Sequence, residues 1–96
     1  MTNTIEKAIN NVHKKLYNAI PNGRFTNPKV EYLGEDLGNE HMLVSFDCHI
    51  RNAWDGQIRV SKITYLFSQS IVNKRRCTSE RISNEKAQEC REYFSK

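Results

Sequence analysis

No apolar run in this chain approaches the ~20 residues needed to cross a bilayer, so no membrane partner is expected. There is no glycine fingerprint for a dinucleotide, no phosphate-cradling Walker loop, no HExxH zinc helix and no GxSxG elbow. No cofactor, metal or catalytic residue is therefore expected, and the chain reads as a non-enzyme. Cysteine is sparse: Cys48, Cys77 and Cys90 are an odd number without CxxC spacing. That excludes a disulfide framework and points to a reducing, cytoplasmic compartment. The first residues, Met1 to Glu6, lack the basic and apolar regions of a secretory leader.

What is present fits one globular domain over residues 1–96. Hydrophobic residues make up 38% and charged residues 27%, a balance unlike that of a disordered chain. The net charge of +4 is unevenly placed. Residues 1–27 carry Lys7, Lys14, Lys15 and Arg24 against Glu6 alone. Residues 28–56 are acidic, with Glu31, Glu35, Asp36, Glu40, Asp47 and Asp55 against Lys29 and Arg51. Residues 57–96 are basic again. Such blocks suit a partner with an electrostatic face.

Ile5, Ala8, Ile9, Val12, Leu16, Ala19 and Ile20 form one stripe of helical period and predict a helix over 4–20. Asn3 is its candidate N-cap, with Glu6 completing a capping pair, and Pro21-Asn22-Gly23 stops it. Residues 28–34 read as a short strand, with Val30 and Tyr32 on one side, before a turn at 35–39. Residues 41–51 alternate cleanly. Met42, Val44, Phe46, Cys48 and Ile50 face a core, and the odd positions face mostly solvent. Asp55-Gly56 marks a hairpin. A third strand begins at Gln57, where the apolar phase switches from Ile58 and Val60 to Ile63, Tyr65 and Phe67. A β-bulge near Ser61-Lys62 would produce that switch. A helix over 62–73 is the competing reading, and 69–82 is open between loop and fourth strand. Ser83 caps a last helix over 84–94, with Ala87, Cys90 and Phe94 inward. The expectation is an α+β fold of α-β-β-β-α order: a three- or four-stranded antiparallel sheet with both helices on one face.

Lys74-Arg75-Arg76 and Arg81 place four cations within eight residues and form the most charged feature. Contact with phosphate is the chemistry such a cluster suits. Lys7, with Lys14 or Lys15, adds to the field. Trp54, the one tryptophan, sits in the hairpin turn, and His49 and Arg51 lie on the odd face of strand 41–51. Apart from Lys7, these residues, nine in all, are the candidate binding site. Asp47 and His49 could supply two metal ligands, fewer than a zinc site needs. Tyr17, Tyr32, Tyr65 and Tyr93 read as core-margin residues and the cysteines as buried small hydrophobes.

Two resemblances bear on function. His41, in Gly38-Asn39-Glu40-His41 at a strand start, resembles the catalytic histidine of HicA-type toxin ribonucleases, which share the α-β-β-β-α core. That resemblance implies a small ribonuclease with His41 as acid–base group. The element order is also similar to that of double-stranded-RNA-binding domains, whose last helix opens on a basic cluster. Here Ser83-Asn84-Glu85-Lys86-Ala87 occupies that place, and Glu85 and Glu89 oppose phosphate. The leading expectation is a non-enzymatic accessory or inhibitory protein, of phage or mobile-element type, docking on a nucleic acid or nucleoprotein complex. A protein-directed inhibitor using Glu31, Glu35, Asp36 and Glu40 is the second.

Overall fold

Residues 4–95 are described by a computed structural model. Helix α1 spans Thr4–Ala19, strands β1 Arg24–Asp36, β2 Asn39–Arg51, β3 Ile58–Ser70 and β4 Cys77–Ile82, and helix α2 Asn84–Phe94. The strands form one antiparallel sheet in chain order, β1-β2-β3-β4. The α+β class stands as expected, with the fourth strand present. The Asn3 cap lies outside the described residues.

Ala8, Val12 and Leu16 of α1 are fully buried, as their helical spacing requires. They pack on Met42, Val44, Phe46 and Cys48 of β2 and on Ile63, Tyr65 and Phe67 of β3. This side of the sheet is the α1 face. At the helix exit, Gly23 N–H donates to Ile20 O at 3.1 Å.

Helix α2 packs on the opposite side, not beside α1. Ser83 caps it, accepting from Lys86 N–H at 3.1 Å. The Phe94 ring lies against His41, with centroids 5.3 Å apart, and Arg91 Nε donates to Glu31 Oε2 at 2.9 Å. His41 and Leu43 alternate with Met42 and Val44, so they point the other way, and Glu31 pairs with Leu43 across the ladder. Leu43 is 3% exposed and Ala87 2%. Leu43 and Ser45 are thus buried on the α2 side at one end of the sheet, which corrects the reading of the odd positions there as facing solvent. The expectation of one shared helix face fails for the same reason.

β3 is strand throughout, so the helical reading of 62–73 is excluded. Its pairing with β2 runs unbroken from Arg51↔Ile58 to Asn39↔Ser70, without the expected bulge at Ser61-Lys62. The phase switch has another cause. Ile63, Tyr65 and Phe67 sit under α1, while Ile58 and Val60 emerge on the α2 face beyond α2, 59% and 57% exposed. The register shifts fall in β1 instead, between Thr26 and Lys29 and between Tyr32 and Gly34. The first surrounds Pro28, which has no N–H to give a ladder and is tolerated on an edge strand. β1 also begins at Arg24, four residues earlier than expected.

The molecule is a plank, 48 × 31 × 17 Å. One end carries the β1–β2 turn and the β3–β4 loop. The other end is the β2–β3 hairpin, which runs past both flanking strands as an arm.

Candidate functional site

The α1 stripe next to the buried one carries Lys7, Asn11 and Lys15, one turn apart, and it lies along β4. Lys7 Nζ donates to the Lys74 carbonyl. Asn11 Nδ2 donates to Cys77 Sγ at 3.7 Å, and Ser79 Oγ donates to Asn11 Oδ1. Lys15 Nζ donates to the Ser79 carbonyl at 2.5 Å. These contacts satisfy outward main-chain carbonyls of an edge strand and its loop with ammonium groups, which also blunts the edge. They bring the helix cations onto the basic segment. Lys74, Arg75 and Arg76 are exposed in the loop, whose turn is held by Arg75 N–H on Asn73 Oδ1 at 3.2 Å and Arg76 N–H on Asn73 O at 2.9 Å. Arg81 lies two residues past Ser79 and so shares the α1 face. Lys14 is exposed beside Lys15.

The result is a ridge of seven cations from three segments: Lys7, Lys14, Lys15, Lys74, Arg75, Arg76 and Arg81. Glu80, the acid within β4, pairs with Leu66 and points to the other face. Arg81 also reaches Cys48 electrostatically: burial pushes that thiol up, and the guanidinium offsets part of the rise.

Of the nine residues singled out in the sequence, Lys14, Lys15, Lys74, Arg75, Arg76 and Arg81 join this ridge. Lys7, read from the sequence as part of the same field, lies with them on the Lys15 stripe. Trp54, His49 and Arg51 are elsewhere. Trp54 is 97% exposed at the hairpin tip. Twelve residue steps along β2 put that tip about 40 Å from the loop, so the two candidate surfaces are separate. His49 Nε2 and Thr26 Oγ1 share a hydrogen bond of 2.9 Å, and Asp47 Oδ2 accepts from Asn27 Nδ2 at 2.9 Å. Both side chains thereby tie β1 to β2. Among the described residues no group of three His, Cys, Asp or Glu could hold a metal ion.

His41 lies between Ser68 Oγ, 2.7 Å from its Nδ1, and the Phe94 ring, where it helps seat α2. The acidic segment is divided. Glu31 and Asp36 bind Arg91 and Tyr93 of α2, while Glu35 and Glu40 face the α1 side near Tyr32. Burial, with these two carboxylates, holds the Tyr32 hydroxyl above its ordinary range.

Comparisons with family models, curated proteins and solved structures found no match to this chain.

Proposed function

We propose that the protein is a non-enzymatic binding protein that docks on a nucleic acid or nucleoprotein complex through the α1–β4 ridge. The observation that supports this reading is the docking of Lys7 and Lys15 on the carbonyls of Lys74 and Ser79, which gathers seven cations on one edge. A ridge of that kind suits a phosphate backbone, whose charge repeats along its length. Contacts to phosphate supply affinity and orientation and carry no sequence information, so binding through them is sequence-tolerant. Such a protein would act in the cytoplasm, where Cys48, Cys77 and Cys90 stay as free thiols, in the manner of a phage or mobile-element accessory or inhibitor.

The test is fluorescence anisotropy of labelled 20-nucleotide RNA and DNA against salt. The expected plot of log K against log salt is linear and falling, with a slope near −0.9 per phosphate neutralised for duplex. Each of Lys74→Ala, Arg75→Ala and Arg76→Ala should reduce the slope by about 1. Absence of binding at low salt to every duplex and single strand would remove the direct nucleic-acid form of the reading.

A further inference from the structure

The second feature concerns the other end of the plank and goes beyond the ridge. β4 pairs with β3 only over Thr64–Gln69. Among the described residues, nothing pairs with the outer side of β3 from Ile58 to Ile63. The alternation of the ladder fixes which groups are free. Asn52 N–H donates to Gln57 O at 2.7 Å, and Ser70 N–H donates outward to Arg76 O at 2.9 Å. Odd residues of β3 therefore bond to β2, and even ones point away from it. The N–H and C=O groups of Ile58, Val60 and Lys62 form an open row that continues the line of β4.

The side chains along the row alternate in chemistry. Ile58 and Val60, more than half exposed, stand on the α2 face beside each other. Arg59 and Ser61 stand on the α1 face. The cations Arg51, Arg59, Lys62 and Arg81 lie along the row; Asp55, 3.8 Å from Arg59, and Asp47, opposite Lys62 in the ladder, are acids beside them. Ile82, Ser83 and Asn84 close the notch where β4 leaves. Charged side chains blunt such edges; this one sets Ile58 and Val60 beside Arg59 and Lys62, so an added strand must match its charge as well as its apolar face.

We propose that this edge accepts an extended segment of a partner protein as an added strand, one in which apolar and acidic side chains alternate. Main-chain pairing would supply the affinity and the alternate side chains the selectivity. Apolar residues would lie against Ile58 and Val60, and carboxylates against Arg59 and Arg81. A second copy of this chain is disfavoured, because it would set the same four cations against themselves. A nucleic acid lacks the alternating donors and acceptors that the row requires.

The probe is the peptide acetyl-Ser-Glu-Val-Glu-Val-Glu-Val-Ser-amide, added to the full 15N-labelled chain, with a counterpart carrying Lys for Glu. At saturation, amide exchange at Ile58, Val60 and Lys62 should slow by about tenfold or more with the acidic peptide and stay unchanged with the basic one. Val60→Pro removes one outward donor and no bond to β2, so it should abolish peptide binding with little change in the urea midpoint. Arg59→Glu, exposed on the α1 face where the carboxylates would lie, should remove the preference for the acidic peptide. No slowing, or equal slowing by both peptides, would overturn the proposal. So would protection without peptide that grows with protein concentration, or protection by a single-stranded oligonucleotide.

Discussion

Phe94 lies directly over Gly34: a Cβ built on Gly34 would stand 2.9 Å from Phe94 Cδ1. The bulge before Gly34 turns the β1 backbone, and its φ of +150° is one that other residues rarely adopt. Glycine here serves both the backbone and the seating of α2. Gly34→Ala should destabilise the fold by about 1–3 kcal/mol. The contact part of that cost should disappear in a Phe94→Ala background, leaving the backbone part. Urea midpoints of the four proteins in this cycle would show the coupling, and strict additivity would show that Phe94 does not press on Gly34.

The β1–β2 turn is built with the wrong residue for its shape. Leu37 and Gly38 have φ of 51° and 78°, the pattern of a type I′ hairpin turn, and Leu37 is 92% exposed. A leucine in that conformation has nothing buried to offset its strain. Leu37→Asn should raise stability by about 0.5–1 kcal/mol, since Asn-Gly is the preferred pair in this turn. An unchanged or lower urea midpoint would contradict the assignment.

Tyr93 donates its hydroxyl proton to Asp36 Oδ2 at 2.9 Å, and this hydrogen bond, with the carboxylate charge, raises its ionisation range. A raised phenol stabilises the fold while protonated. Its contribution is complete below the unfolded tyrosine value, about 10, and is lost as pH rises through the higher folded value. Ultraviolet titration of the phenolates should show the high-range component shrink in Asp36→Asn and in Tyr93→Phe. A titration curve identical in Asp36→Asn would exclude the hydrogen bond as the cause.

The α1 stripe, the β2 alternation and the Ser83 cap are local patterns, and each was legible in the sequence. The two faces of the sheet were not. Leu43 and Leu66 face each other across the ladder on the α2 side, and Leu43, the buried one of the two, marks the end of the sheet that α2 covers. The switch from Ile58 and Val60 to Ile63 resembles a bulge only if one core is assumed; with two half-covered faces it needs none. The basic loop was visible as a charge run, but its junction with Lys7 and Lys15 depends on packing between distant segments. The open row on β3 was invisible for the same reason, because it is defined by where β4 stops.

That junction gives the ridge a property its separate parts lack. Lys15 meets Ser79 across 64 residues of sequence and Lys7 meets Lys74 across 67. The sheet itself joins chain neighbours, which need only short loops to close. The clasp joins α1 to the β3–β4 loop and β4, far along the chain, so a nascent chain that ends before β4 would not present the ridge. A ligand that binds there would favour the native state by mass action, so its affinity would appear as added resistance to unfolding.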